Sequence, residues 1–460
     1  MSRGLGAQPI LETIEKKAYT DQRAKTVLLS ALRGRGGQLT HADAMAASGL
    51  PSDETRRALG LLLKEYRSHL AATESGELVY EFDAALQRRD AVPLRERLAR
   101  VGLALWKGFS VVFKVAIMAT LVVYFTAFVA MLVALVFARS AGGSDRDDDD
   151  GGFSGLFWIW GWSFGGDGDP YGRRRRVRAR KPPLYKSVFS FVFGPPLPPV
   201  DPLRDEKEIL AFIRAHDGRI AAVDLVRLMG WDFARAEEEA TRLMVDYDGE
   251  PEVTDDGVVV YVFKDLRKTA ASAAGAMTDG PTPRMAWERI EPEPVLTGNT
   301  GERNAVIGLF NAFNLTAPLW VVPAFEAKFQ ISMASWSFLL HDFPLAFSGV
   351  FFGVPLVRWL KARLGRGRRA AANHRRSLLR RIFQSPALRP REDLAPTREL
   401  GAALDRTLVA LGGDVDADEN GNVRYHFPRI RQEQEAVARA RAAAPRTERD
   451  PGALVFSSSD

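Results

Sequence analysis

Three stretches of the chain share one order of polar and apolar positions. In residues 204–264 the run DEKEILAFIRAH (205–216) sets Ile209, Leu210, Phe212 and Ile213 on one helical stripe. DGRIAA follows as a short extended piece, and VDLVRLM (223–229) is a short helix closed by Gly230. DFARAEEEATRLMVDY (232–247) then opens on Asp232 at the N-cap and runs as a third helix. A hairpin with Asp256-Gly257 at its tip completes the unit. Residues 20–86 follow the same order through DQRAKTVLLSALRG, GGQLT, HADAMAAS and GLPSDETRRALGLLLKEY. Residues 374–430 follow it more loosely. HRRSLLRRIF is the first helix there and TRELGAALDRTLVAL the third, with a Pro-rich link, SPALRPREDLAP, in place of the middle helix. All three stretches end Gly-x-[Leu/Val]-x-Tyr-x-Phe, at Gly76/Leu78/Tyr80/Phe82, Gly257/Val259/Tyr261/Phe263 and Gly421/Val423/Tyr425/Phe427. A large side chain, Tyr66, Tyr247 or Leu411, precedes each glycine by ten positions. Helix, strand, helix, helix, hairpin is the winged helix-turn-helix pattern. The alternating residues of each wing are expected to face the core, with a polar tip outward.

Between these stretches lie uncharged runs of another kind. Residues 115–137 carry no charge over 23 positions, enough at about 1.5 Å per residue to cross a hydrocarbon core of roughly 30 Å. Residues 304–325 are also uncharged, and residues 343–360 carry only Arg358, placed to snorkel at the end of its span. The last two form a helical hairpin, with a turn expected at His341-Asp342 before Pro344, and Gly349 and Gly353 as a step for close helix approach. The basic exit KARLGRGRRAAANHRR puts the following domain inside. Arg95, Arg97, Arg100, Lys107 and Lys114 before the first span, and DRDDDD (145–150) after it, put the first domain inside too. Residues 141–183 read as a disordered acidic, aromatic and Arg-rich linker. Its GRRRRVRARK (172–181) also favours the inside, while FSGLFWIWGWSF (153–164) is too short to span and reads as interfacial or re-entrant. The side of the first domain therefore stays open. Domains two and three are assigned to the cytosolic face of the cytoplasmic (inner) membrane, and residues 431–460 form a tail that packs back on the third domain.

Composition narrows the chemistry. A chain of 460 residues has room for several domains, and its net charge of +6 matters less than where the charge sits. The absence of cysteine excludes disulfides, thiolate nucleophiles and cysteine-ligated zinc or iron–sulfur clusters. The six histidines are scattered without metal-ligand spacing. DADENGNVRYHF (416–427) imitates a calcium loop but ends in Phe427 where a bidentate Glu is needed. No nucleophile–base–orienter set is visible, so an enzyme is not expected, and no cofactor is assigned.

From Asp232 to Asp256 ten acidic residues face two basic ones. That surface repels a phosphate backbone, so nucleic acid is not an expected partner. Glu237, Glu238, Glu239, Asp246 and Asp248 are instead candidates for binding a soluble protein partner. Arg56, Arg57 and Lys64, on the third helix of the first domain, are the candidates for DNA or partner contact. Arg173, Arg174, Arg175 and Arg176 are assigned to lipid headgroups. Asn311, Asn314 and His341 either pack helices or line an ion path.

VFSFVFG (188–194), DYDGEPEVTDDGVVVYVF (246–263) and FFGVPLVRWL (351–360) resemble a family of uncharacterised membrane proteins from cyanobacteria and plant plastids. Those proteins are similar in order, with a span, a Gly/aromatic and Arg-rich stretch, a GxPEV…G-x-[IV]-x-Y-x-F unit, and a hairpin with a PLVR-like exit. The resemblance covers residues 110–430 and implies a membrane protein; its motifs are structural and carry no activity. A plastid relative bears a label for iron–sulfur cluster biosynthesis, and without cysteine this chain cannot ligate a cluster through thiolates.

The expected class is α+β, a multi-domain integral membrane protein with three winged helix-turn-helix-like domains and about three transmembrane helices. The expected function is a non-enzymatic membrane-anchored scaffold or signalling protein. One alternative is a membrane-tethered, DNA-binding transcription regulator. Another is a small transporter or ion-pathway protein, which with three spans requires a homo-oligomer.

Overall fold

The structure, a computed structural model, describes residues 19–33, 37–74, 76–82, 86–89, 94–140, 183–197, 201–267, 281–385, 388–417, 423–444 and 454–457. The chain forms two compact units, one from Met1–Val92, Pro199–Glu291 and Arg368–Asp460, the other from Pro93–Pro198 and Pro292–Gly367. The calls on residues 141–182, including 153–164 and Arg173 to Arg176, lie outside the described residues.

In the first unit one element order appears in three segments. The first holds α1 (Asp21–Leu32), β1 (Gly37–Thr40), α2 (His41–Ser48), α3 (Ser52–Glu65), β2 (Ser68–Thr73) and β3 (Leu78–Phe82). α1 buries Ala24, Leu28 and Leu32 at four-residue steps. α2 starts on a capping box, with Asp43 N–H donating to Thr40 Oγ1 and Thr40 N–H donating to Asp43 Oδ2. It stops at Gly49, whose φ of 73° suits glycine.

The segment after α4 (Leu94–Ser140) and α5 (Leu184–Phe193) holds α6 (Arg204–Ala215), β4 (Arg219–Ala221), α7 (Ala222–Met229), α8 (Phe233–Asp246), β5 (Glu250–Val253) and β6 (Val259–Val262). Following α9 (Gly301–Phe329) and α10 (Phe343–Leu364) come α11 (Arg366–Gln384), β7 (Arg389–Pro390), α12 (Arg391–Leu394), α13 (Arg398–Ala410), β8 (Asp414–Ala417) and β9 (Val423–His426). The third strand of each segment is central and antiparallel to both neighbours, with registers Leu39↔Tyr80, Ile220↔Tyr261 and Arg389↔Tyr425. Tyr66, Tyr247 and Leu411 are the buried caps that end α3, α8 and α13.

Several expectations are corrected here. The Pro-rich link of the third segment contains a short strand and a one-turn helix, because the chain resumes helical geometry once past Pro390. In the closing hairpins Tyr80, Phe82, Tyr261, Phe263, Tyr425 and Phe427 are buried, but Leu78, Val259 and Val423 are 44%, 40% and 42% exposed. Those three open their strands at the hairpin, beyond the reach of the core. The tail also departs from expectation. Its helix α14 (Pro428–Ala442) buries Ile430, Ala436 and Val437 in a core common to the second and third segments, which also takes Ala42, Met45 and Ala46 from α2. Glu433 accepts the Val223 N–H at 2.9 Å, a buried anion on the first-turn amides of α7, which have no partner within the helix. Arg441 donates to Asp224 at 2.6 Å and to the Arg219 carbonyl. β10 (Leu454–Ser457) pairs antiparallel with β2 and completes a four-stranded sheet in the first segment.

Among the described residues three helices are long and apolar enough to cross a membrane, over Val101–Arg139, Gly301–Phe329 and Phe338–Gln384; the first two lie in the second unit, and the third begins there and continues past its end at Gly367. The first belongs to α4, 47 residues or about 70 Å long, far beyond the expected 115–137. Its core pairs Phe125 with Phe310, stacked at 4.2 Å, around Leu121, Ile307 and Phe351. The turn expected before Pro344 is instead a π-helical turn, Phe338–Asp342, that runs directly into α10. Proline is accepted there because the opening turn of a helix needs no donor from it. Gly349 and Gly353 meet nothing that a Cβ would touch among the described residues, so neither brings two of the described helices together. α5, not expected as an element, packs on α4, with Lys114 over the Phe189 ring and Phe113 beside Phe193. Arg358 donates to the Val192 carbonyl at 3.3 Å, closing the end of α5 rather than reaching away from it.

Candidate functional site: a mixed-charge cleft between α3 and α8

Two members of each set of charged residues singled out in the sequence meet, Arg56 and Arg57 with Asp246 and Asp248. The N-terminal turn of α3 and the C-terminal end of α8 enclose a cleft of about 300 Å³. Asp53, Glu54, Arg56 and Arg57 line it from α3, and Val245, Asp246 and Asp248 from α8 and the turn after it. α3 begins after Pro51 and carries Asp53 and Glu54 in its first turn, where the helix dipole favours anions. Asp248 is exposed and adopts a φ of 54° in the turn that leads to β5. Asp and Asn tolerate that conformation better than most residues.

Local pairing divides the acidic residues. Asp246 is buried and accepts from Arg242 at 2.9 Å, while Glu239 accepts from Arg242 Nε at 2.7 Å. Glu237 is held by Arg429 of α14. Glu238 is exposed on α8, away from the cleft. Thus Asp248, and not the Glu237–Glu239 run, is the acid from α8's end that opens into the cleft. On the basic side, Arg57 lies 3.5 Å from Asp21 and 3.7 Å from Glu54, and Arg56 lies 3.8 Å from Asp53. Lys64 is exposed at the far end of α3 and does not line the cleft. Four carboxylates against two guanidiniums leave the lining acidic.

Two groups beside the cleft titrate away from their usual ranges. His41 bonds Ser52 Oγ through Nε2 at 3.2 Å; burial pushes its pKa down and Arg56 adds to the shift, opposed by Asp248, Asp265 and Glu77. Burial pushes the Glu206 carboxyl up, partly offset by Arg242.

The cleft is fixed by contacts that local patterning does not reveal. Tyr247, 1% exposed, donates its hydroxyl to the Gly49 carbonyl at 3.0 Å. Arg214 of α6 donates to Asp43 of α2 at 2.5 Å. The sequence marks Tyr247 only by its spacing of ten positions from Gly257, at the end of the expected helix 232–247; the helix stops one residue earlier, and the acceptor, 198 positions away, leaves no sequence signal. In the membrane-type unit, Asn311 Nδ2 donates to the Ser348 carbonyl at 3.3 Å and Asn314 Nδ2 to the Leu121 carbonyl at 2.8 Å. His341 is exposed and sits 3.0 Å from Asp342.

The chain is 24% identical to an uncharacterised chloroplastic protein of Arabidopsis thaliana over 444 residues, 88% of this chain and 81% of that protein. This fits a relationship to uncharacterised plastid-related proteins. No family model matches the chain. No solved structure matches it either.

Proposed function

We propose that this protein is a non-enzymatic, membrane-anchored scaffold or signalling protein, its three α/β segments being winged-helix modules used for protein–protein contact. The observation that carries the reading is the acidic cleft where Asp53, Glu54 and Asp248 surround Arg56 and Arg57. Its charge and size suit a Lys- or Arg-bearing segment of a soluble partner. DNA reading is less well supported. Arg242 is committed to Glu239 and Asp246, Arg235 lies over the Trp231 ring, and Arg56 and Arg57 each have a carboxylate within 4 Å. A transport path through Asn311 and Asn314 is also less well supported, because the Nδ2 of each donates to a neighbouring helix carbonyl, as helix packing requires, although both Oδ1 atoms are buried without a partner among the described residues. The test is a comparison of wild type with the pair Asp53→Arg and Asp248→Arg, purified in mild detergent. A protein recovered with wild type and lost with the charge-reversed variant supports the reading. Recovery of the same proteins by both, or salt-dependent DNA binding by wild type that Arg56→Glu abolishes, overturns it.

A further inference from the structure

The cavity between α11 and α13 differs in charge from the cleft described above. It encloses about 260 Å³ and is lined by Ala371, Ala372, Ala403 and Ala410, with Arg375, Arg406 and Thr407. No carboxylate lines it. Arg375 is the unusual member. Its Nε and Nη2 are buried and have no acceptor among the described residues. A guanidinium withdrawn from water without a carboxylate or carbonyl partner is unfavourable, and an anion brought to it relieves that cost. The opposite charge that acts on Arg375 is Asp232, whose carboxylate already caps α8 by accepting the Arg235 N–H at 2.9 Å. Arg406 is exposed at the cavity and uses Nε on the Ala402 carbonyl, leaving the rest of its fork available. The Thr407 hydroxyl donates to the Ala403 carbonyl, so it is left to accept.

We propose that this cavity binds a small organic anion, with a carboxylate or phosphate head between Arg375 and Arg406 and a short apolar body against the alanines. The volume lies just below the range of roughly 300–1,000 Å³ usual for ligand pockets, which points to a small ligand. The same chemistry is available from a soluble metabolite or from an anionic lipid.

The test uses the full chain in neutral detergent and follows thermal unfolding with hexanoate, hexyl phosphate and hexanol as probes. The two anions are expected to raise the melting temperature saturably, and hexanol is not. Arg375→Met keeps the length and removes the charge; it should melt no lower than wild type without ligand and bind the anions about tenfold more weakly or worse. Hydrogen exchange at the backbone amides around Arg375 and Arg406, read by mass spectrometry, gives a second, local measure. Protection by hexyl phosphate in solution assigns a soluble source. Protection in nanodiscs containing phosphatidylglycerol, but not in phosphatidylcholine alone, assigns a lipid source. The proposal fails if hexanol stabilises as well as hexanoate, if Arg375→Met keeps the anion response, or if no probe protects those amides.

Discussion

Replacing Tyr247 by Phe should loosen the junction between the first and second segments without emptying it. The ring stays, 1% exposed, and only the hydroxyl is lost. That hydroxyl donates to the carbonyl of Gly49, itself buried at the end of α2. A buried acceptor left without its donor costs about 1–3 kcal/mol, and a carbonyl has further lone-pair capacity, so the lower half of that range is expected. About 1–2 kcal/mol corresponds to a factor of roughly 5–30 in an opening equilibrium. Hydrogen exchange read by mass spectrometry should show that increase at the turn from α2 to α3, while the hairpin strands β5 and β6 change little. Tyr247→Ala, which also deletes the ring, should cost about 3–5 kcal/mol and raise exchange across the second segment as well. Burial, with Glu206 and Asp246 nearby, pushes the Tyr247 phenol up, so spectroscopic titration should leave it protonated where exposed tyrosines ionise. Should Tyr247→Phe exchange like wild type at Gly49 and Leu50, the hydroxyl has no part in holding this junction.

Other expectations follow from the same contacts. Glu65 accepts from Lys25 at 2.8 Å and Arg88 at 2.6 Å, so Glu65→Ala strands a nearly buried ammonium and should cost about 1–3 kcal/mol by denaturant unfolding. Its pairs hold the Glu65 carboxyl below the usual range despite some burial, so their stabilisation is present at neutral pH and lost as pH falls through that lowered pKa. His41 and His216 are both pushed down, chiefly by burial, so below about pH 6.5 the unfolded chain takes protons that the fold resists. Stability should decline on acidification through that window, and a His41→Gln, His216→Gln double variant should flatten the decline in pH-dependent melting curves. Gly194 has a φ of 87° with the Arg358 guanidinium in the space a Cβ would take; Gly194→Ala should lower the thermal midpoint in detergent, at a cost of about 1–3 kcal/mol.

Local patterning made much of the architecture legible. The stripe Ile209, Leu210, Phe212, Ile213 is buried as its helical spacing requires, and Gly230 closes α7 in the left-handed conformation. The Tyr and Phe of each closing hairpin are core residues because their strand is central and backed by helices. What patterning missed was partnership. Ten acidic charges between Asp232 and Asp256 look like one surface, yet Arg242 neutralises part of it locally and Arg429 and Arg439 reach in from α14. Those arginines are more than 170 positions away in the chain, so no window could pair them. The tail misled for the same reason. Its apolar positions specify a buried face, but the groove they fill is built by two segments together. Asp248 gave a charge and nothing more; its role at the cleft depends on a turn geometry that appears only once α8 has ended against Gly49.

The common core of the first unit has a consequence for how the chain is threaded. Ala42, Ile209 and Leu404 share one hydrophobic core, so that core forms only if the three segments that supply them lie on one side of any membrane the apolar helices cross. Any lipid crossings that separate consecutive segments must therefore be even in number. α9 and α10 satisfy that parity between the second and third segments. α4 alone does not satisfy it between the first and second, yet α5 already lies back beside Phe113 and Lys114, near where α4 begins its apolar run. Single cysteines at Glu74 and Glu252 should then label from the same face with an impermeant thiol reagent, in a chain that has no native cysteine to confuse the result. Labelling from opposite faces would mean that α4 crosses unanswered and that the shared core cannot form. Parity also sets an order of events. Ile430 and Val437 are translated after both hydrophobic excursions, so the core of the first unit stays open until those have been made.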